Sequence, residues 1–159
     1  MQQQVFEISY LKVPHGSSVR KYDLWRVWAA RVLIALVLFW NLQAAFQFML
    51  RPQQFLMSFQ VEGIPGQTAV IGFGILFLMW QAPYAFALLH PVKYKTSLWQ
   101  ALIMQTIGVI AESILLTTIP PDYLLLRSSI LHFIIFDGAG VLILIGALFL
   151  TMHLVITET

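Results

Sequence analysis

Two carboxylic acids interrupt long apolar runs of this chain and are its clearest candidates for chemistry. Glu112 lies in the run "IGVIAESILL" and Asp137 in the run "ILHFIIFDGAG". A charged carboxylate is costly in hydrocarbon, so each side chain is expected to face the interior of a helix bundle and find a partner there. Counted from the ends of the apolar runs near residues 119 and 129, both acids lie roughly 10–12 Å below the outer boundary and so are expected at one depth. If the two carboxyl groups meet, at least one should be protonated at neutral pH, or a cation should bind between them.

Five further polar side chains lie in the same apolar runs and are candidates for a shared intramembrane pocket with the two acids. They are Asn41, Gln81, Tyr84, Gln105 and His132. Gln105, Gly108 and Glu112 fall at the i, i+3 and i+7 positions of one helix face. Such a pocket could supply acid–base groups or a proton path. The alternative is that the amides only link neighbouring helices by hydrogen bonds, which is their commoner role in membranes.

Residue types exclude or disfavour several other kinds of chemistry. The chain has no cysteine, which excludes disulfides, thiolate nucleophiles and cysteine-ligated metals. No phosphate-binding loop, zinc spacing or nucleophile motif occurs, so no metal site and no catalytic residue is assigned. His90 and His153 end two apolar runs at one depth and could hold a haem axially. Histidines are ordinary at interfaces, so haem is disfavoured, while a quinone or a lipid stays open as a ligand.

The elements that must position these residues follow from composition and run length. Of 159 residues, 59% are hydrophobic and 10% are charged, whereas soluble domains carry about 25% charged residues. Four apolar runs reach the roughly 20 residues that cross a bilayer core. They cover about 27–50, 68–90, 98–119 and 129–153. The predicted fold is an all-α membrane protein, with a four-transmembrane-helix bundle forming a single domain over 1–159.

Basic residues gather on one side of these spans and predict their orientation. Four precede the first span and two join the second to the third, whereas the other connections hold one each. In chain order they are Lys12, Arg20, Lys21, Arg26, Arg51, Lys93, Lys95 and Arg127. The positive-inside rule predicts that both termini, including segment 1–26, are cytoplasmic. This topology accounts for the basic residues without nucleic acid as a partner, and it fits a multi-pass protein of a bacterial plasma membrane.

Two local features interrupt the simple pattern of spans. The connection "RPQQFLMSFQVEGIPG" spaces Phe55, Leu56 and Phe59 as in a short amphipathic helix on the outer membrane surface. The alternative there is an irregular loop packed on the bundle. Pro83, in "FLMWQAPYAFALLHP", predicts a kink in the second span. That kink either opens a cavity or is only a packing feature.

The segment from the first span into the second resembles the DoxX-like family of small four-helix membrane proteins. The resemblance rests on "RVLIALVLFWNLQAAFQF", on the Pro-x-x-Phe element of "RPQQFLMSF" and on the turn "EGIPG". It covers roughly 31–66, and the four-span layout matches over most of the chain. Asn41 or a neighbour stands where the family usually has glycine. The resemblance implies an accessory part of a membrane redox system, including quinone-linked oxidases, and it carries over no catalytic residue.

Two functions follow from these observations, and the sequence leaves open whether the protein is an enzyme. The first is an accessory or partner-binding subunit of a bacterial membrane complex, in line with the resemblance. The alternative is a membrane-embedded enzyme or carrier for a lipophilic small molecule, which would use the Glu112 and Asp137 pocket. A third reading is self-association through the small residues Gly138 and Gly140.

Overall fold

The computed structural model describes residues 21–152 and Leu154, which form helices joined by short connections, with no strand among them. The six helices in this part of the chain are α1 (Lys21–Leu50), α2 (Gln53–Phe59), α3 (Gly63–Met79), α4 (Gln81–Leu89), α5 (Lys95–Thr118) and α6 (Leu124–Thr151). Four stretches are long and apolar enough to cross a membrane: Leu24–Leu50, Gly63–Leu89, Lys95–Thr118 and Leu124–Thr151. This confirms the predicted all-α fold and indicates a multi-pass membrane protein.

Each predicted span falls on one of these stretches, although the stretches begin a few residues earlier than predicted. The largest differences are at the second and fourth, which begin at Gly63 and Leu124. The N-terminal segment 1–20 and His153, one of the two histidines considered for haem, lie outside the described residues.

The helices form a ring in which one pair of neighbours is left apart. Helix α1 packs on α3, α4 and α6, while α5 packs on α6 and α4. Helix α3 is not closely packed on α5, so the ring is closed on that side by α4 alone. The short helix α2 covers the end of the bundle where α1 ends and α6 begins, and it contacts α3 and α6. This end is called the α2 end below.

A break inside the second span separates α3 from α4. Pro83 has no N–H and cannot donate to the carbonyl of Met79, which is the usual cause of such a break. Helix α3 ends at Met79, Trp80 adopts a turn conformation, and α4 starts at Gln81. The sequence prediction that Pro83 interrupts the second span is therefore met by a break between two helices. Helix α4 packs on both α1 and α5, whereas α3 packs on α1 and leaves a gap toward α5.

The end opposite α2 is held together by a tightly packed core with small residues at its helix contacts. Ala30, Ala87, Ala101 and Ala147, from four different helices, are all fully buried there. Small side chains let helix backbones approach closely. These four residues are called the alanine core below.

The α2 end is packed instead with phenylalanine rings. Phe48 is the centre of this group, with its ring centroid 4.6 Å from that of Phe55 and 5.8 Å from that of Phe77. Phe59 of α2 stacks on Phe133 of α6 at 6.0 Å. The connection 51–66 thus contains a real helix whose aromatic residues pack on the bundle. Its placement at a membrane surface stays a prediction.

Two arginines fix the C-terminal ends of neighbouring helices. Arg31 of α1 donates through Nε to Leu88 O (2.9 Å) and through Nη2 to Leu89 O (2.6 Å), at the end of α4. Arg127 of α6 donates through Nη1 to Leu116 O (3.0 Å) and Ile119 O (2.6 Å), at the end of α5. These carbonyls have no partner within their own helix, so the arginines satisfy them. A cation at a helix C-terminus also interacts favourably with the negative end of the helix dipole.

Candidate functional site

A buried hydrogen-bonded chain crosses three helices in the middle of the bundle. The Tyr84 hydroxyl of α4 donates to Gln105 Oε1 of α5. Gln105 Nε2 in turn donates to Asp137 Oδ1 of α6 at 2.8 Å. The three residues are only 2%, 5% and 8% exposed, respectively. The Gln105 amide therefore has both its ends engaged, and its orientation is fixed by its two partners.

Two glycines make room for this chain of side chains. A Cβ added to Gly140 would lie 2.7 Å from Gln105 Nε2, and one added to Gly108 would collide with Asp137 Oδ2. The missing side chain of Gly140 thus allows a close contact between α6 and Gln105 of α5 inside this bundle. A Cβ on Gly138 would meet nothing within 4 Å, so only one glycine of the predicted Gly138/Gly140 pair is used here. The sequence placed both glycines beside Asp137 without distinguishing them.

Two amide oxygens near this chain lack hydrogen-bond partners in the described structure. Gln81 Nε2 donates to Phe77 O at 2.7 Å, which fixes the amide and leaves Gln81 Oε1 unpaired. Asn41 Oδ1 is also unpaired. The two residues are 6% and 4% exposed. An unpaired buried acceptor lowers the stability of a fold by about 1–3 kcal/mol. A bound water molecule or ion that pairs with these oxygens would therefore stabilise the bundle.

A small cavity lies where these side chains meet, and it is called the polar cavity below. Its volume is about 20 Å³, and its polar lining residues are Asn41, Gln81, Tyr84, Gln105 and Asp137. A single water molecule needs roughly 10–15 Å³ on the same scale. The polar cavity is therefore large enough for one water molecule or one small ion, but for nothing larger.

A second and much larger cavity lies toward the α2 end, and it is called the aromatic cavity below. Its volume is about 340 Å³, within the 300–1,000 Å³ range typical of small-molecule sites. Its walls are Phe48, Phe59, Val61, Phe73, Phe77, Leu115, Leu126, Ile130, Phe133 and Glu112. Glu112 is the one ionisable group in this lining, and its Oε2 is buried without a partner in the described structure.

The two acids thus face different cavities. Asp137 lines the polar cavity and Glu112 the aromatic one, and Phe77 contributes to both walls. Asp137 is level with Gln105 and Gly108, so Glu112 lies one helical turn closer to the α2 end than Asp137. Within the described residues, no hydrogen bond joins the two carboxyl groups. The equal depth expected from the sequence is replaced by an offset of one turn.

The predicted pocket residues are therefore distributed over three places. Asn41, Gln81, Tyr84, Gln105 and Asp137 share the polar cavity. Glu112 faces the neighbouring aromatic cavity. His132 is exposed on α6, with Nδ1 2.7 Å from Ser128 O, and it lines neither of these cavities. His90 is also exposed, and its Nδ1 accepts from the Lys93 amide at 3.1 Å.

The phenylalanines of the aromatic cavity are site residues that no sequence pattern indicated. They come from α1, α2, α3 and α6 and share no local motif. The one sequence feature that could have indicated them is their number. The chain has 12 phenylalanines, and several of them lie in or beside the connection between α1 and α3.

Comparison with protein-family models, curated proteins and solved structures finds no match to this chain. Fold and site therefore define a class: a four-span helical bundle with a buried polar network beside an aromatic cavity that contains one acid. The DoxX-like resemblance of 31–66 stays a prediction.

Proposed function

We propose that this protein binds a lipophilic small molecule within the membrane, in the aromatic cavity, and serves as a carrier or enzyme for it. The observation that carries the proposal is the unpaired Oε2 of Glu112 in the wall of a 340 Å³ cavity. All other lining residues are aromatic or aliphatic. Such an arrangement binds an apolar body and orients it through one polar contact.

The lining defines the chemistry of the ligand. Aromatic rings pack well against the faces and edges of the surrounding phenylalanines. A carboxylate at Glu112 accepts from a hydroxyl or an ammonium group, and a neutral carboxylic acid donates to a carbonyl such as that of a quinone. The ligand is thus a molecule with an apolar, preferably cyclic body and one hydrogen-bonding group.

The gap between α3 and α5 gives such a ligand a route from the bilayer. Phe73 of α3 and Leu115 of α5 both line the aromatic cavity and are about half exposed on the bundle surface. A lipophilic molecule concentrated in the bilayer can therefore reach Glu112 laterally, without passing through the alanine core.

Ligand binding can be tested with purified full-length protein and matched carboxylate variants. Native mass spectrometry of the protein from its own membranes should detect a bound lipophile, and titration with a short-chain quinone, an alkylphenol and an alkylamine should classify it. Glu112→Gln should weaken binding of the best probe about tenfold or more, because the unpaired group is then mismatched to its partner. Glu62→Gln, at an exposed position outside the cavity, should bind as the wild type does. Equal affinity of both variants, or no binding of any probe, would contradict the proposal.

The proposal includes a bacterial plasma membrane with both termini in the cytoplasm, α2 at the outer surface and the aromatic cavity in the outer half. Support comes from the basic residues, with Lys93 and Lys95 at the end opposite α2. The absence of native cysteines makes labelling direct. Gln54→Cys on α2 should react with a membrane-impermeant maleimide in intact cells, and Thr96→Cys on α5 only after permeabilisation. The reverse pattern would invert the orientation.

A second candidate function, the partner-binding subunit of a quinone-linked or other redox complex, is supported by a polar stripe on α1. Gln43 and Gln47 are exposed one turn apart, and neither amide forms a hydrogen bond in the described part of the chain. Gln43 lies roughly 10 Å inside the helix end at Leu50. A neighbouring membrane helix with a polar side chain would pair these amides, which are otherwise unfavourable in lipid.

Site-specific photo-crosslinking tests this candidate. A photoreactive amino acid at position 43 or 47 should give a discrete adduct with another membrane subunit in native membranes. The same residue in place of Leu142, on the exposed face of α6, is the control and should give none. Lipid adducts alone at all three positions would contradict a partner on this face.

A further inference from the structure

The polar cavity has a surplus of hydrogen-bond acceptors. Gln81 Oε1 and Asn41 Oδ1 are unpaired in the described structure. Asp137 uses Oδ1 for Gln105, and Oδ2 forms no further hydrogen bond among the described residues. The Tyr84 hydroxyl hydrogen is directed to Gln105, so its oxygen presents only lone pairs to the cavity. Among the residues that the structure describes, no lysine, arginine or histidine lines the cavity.

We propose that the polar cavity is a binding site for one Na⁺ ion, held by side-chain oxygens of Asp137, Asn41 and Gln81, with Tyr84 completing the wall. Hard cations prefer carboxylate and amide oxygens, and the unpaired acceptors of this cavity are amide oxygens beside a carboxylate. The volume of about 20 Å³ holds one such ion. The proposal does not depend on the ligand of the aromatic cavity.

Charge favours a monovalent cation over the other occupants of this size. The cavity lining has a single acid, Asp137, so one positive charge neutralises the site. A divalent cation would leave a net charge buried among the spans, which is costly. A water molecule could donate to the two unpaired amide oxygens, but it would leave the carboxylate without a counter-charge. The hydrogen-bonded chain through Gln105 fixes the wall, which favours Na⁺ over the larger K⁺.

The ion would have a structural consequence that can be measured. Its ligands come from α1, α4 and α6, and Gln81 is the first residue after the break in the second span. Bound Na⁺ would therefore connect the start of α4 to the two helices beside it. A ligand that binds only the folded state raises its stability with the logarithm of ligand concentration.

Thermal unfolding of the purified full-length protein in detergent tests this at constant ionic strength. Replacing choline chloride by NaCl should raise Tm, by about 3 °C or more for each tenfold increase in Na⁺ above its Kd. KCl should give a much smaller rise. Saturable binding of ²²Na⁺ to the same preparation should follow the Tm curve and reach one ion per chain.

Variants assign the effect to the cavity. Asp137→Asn removes the negative charge of the site and Gln81→Met removes one oxygen ligand, each with little change of size, and both should abolish the Na⁺-dependent rise and the ²²Na⁺ binding. Gln100→Met, the same change at an exposed position of α5, should retain both. If Asp137→Asn does not fold, the loss of Na⁺ binding is measured in Gln81→Met and Asn41→Leu instead. Equal Tm in Na⁺, K⁺ and choline without saturable ²²Na⁺ binding would mean that the cavity holds only water, and would overturn the proposal.

Discussion

The two halves of this bundle solve the packing of the same four spans in opposite ways. At the end opposite α2, four buried alanines bring the helices close together in the core, and the space of about 300 Å³ found there is a groove on the outside of α1 and α4, beside Arg31. At the α2 end, phenylalanines occupy the contacts and a cavity of about 340 Å³ remains. Both halves are apolar, so apolar content does not decide which half is open. The open half differs from the closed one in the size of its side chains and in the spacing of α3 and α5.

The break at Trp80 lies at the boundary between these halves. On the side away from α2, α4 packs on α5 and contributes Ala87 to the closed core. On the side toward α2, α3 contributes Phe73 and Phe77 to the aromatic cavity. The polar network of Tyr84, Gln105 and Asp137 lies at this level. The proposed ion site and the proposed ligand site are thus neighbours separated by one residue, Phe77.

Added bulk in the closed half should have the largest effect on stability. Ala101→Leu introduces three carbon atoms into a fully buried helix contact, and overpacking of this kind costs typically about 1–3 kcal/mol. We expect a clear fall in Tm in detergent, or loss of folded protein. Ala111→Leu, at an exposed position of the same helix, should leave Tm nearly unchanged. A small effect of Ala101→Leu would contradict the tight packing of this half.

The boundary between the halves should tolerate a methyl group at one glycine and reject it at another. Gly140→Ala would press on Gln105 Nε2 and should disrupt its bond to Asp137, which costs about 1–3 kcal/mol if a buried polar group loses its partner. Gly138→Ala meets open space and should stabilise the helix by about 0.5–1 kcal/mol. Thermal unfolding should therefore show a lower Tm for Gly140→Ala and a higher Tm for Gly138→Ala. Equal Tm shifts in the two variants would contradict the role assigned to Gly140.

Added bulk in the open half should be accepted. Ile130 is buried and lines the aromatic cavity, so the larger ring of Ile130→Phe can extend into empty space. We expect a change in unfolding free energy below about 1 kcal/mol, in contrast to Ala101→Leu, because the packed surroundings that make overpacking costly are missing. Binding of the lipophilic probe should nevertheless fall, since the ring takes up part of its volume. Unchanged binding would place the ligand elsewhere.

The sequence was sufficient for the spans and for most of the polar network, for a common physical reason. Long apolar runs and polar groups inside them have few acceptable environments in a membrane. As expected on this ground, Asn41, Gln81, Tyr84, Gln105 and Asp137 turn inward and meet. Gln43 and Gln47 of the first span nevertheless stay exposed. His132 lies five residues before Asp137, roughly 140° round the helix. That angle agrees with its exposed position.

The relative heights of the acids could not be predicted because they depend on where helices end. The depth of Asp137 was counted from a span beginning at about residue 129, but α6 begins at Leu124. Five extra residues add roughly 7.5 Å, more than one turn, and this is the kind of offset observed between Asp137 and Glu112. The aromatic cavity was out of reach for another reason, since it depends on the distance between α3 and α5.

The most local of the expected effects concerns the arginine at the α2 end. Arg127 donates to Leu116 O and Ile119 O at the C-terminus of α5, just beyond the segment that contributes Glu112 and Leu115 to the aromatic cavity. Hydrogen bonds of a charged donor contribute about 1.5–3 kcal/mol and neutral ones about 0.5–1.5 kcal/mol. Arg127→Gln keeps a neutral donor, so it should cost roughly the difference, about 1 kcal/mol. Arg51→Gln, at an exposed arginine of the same end, is the control and should change little. Hydrogen exchange should show faster opening at the last turn of α5 only in Arg127→Gln, because the loss is local to that helix end. Equal exchange in both variants would contradict the role assigned to Arg127 at this helix end.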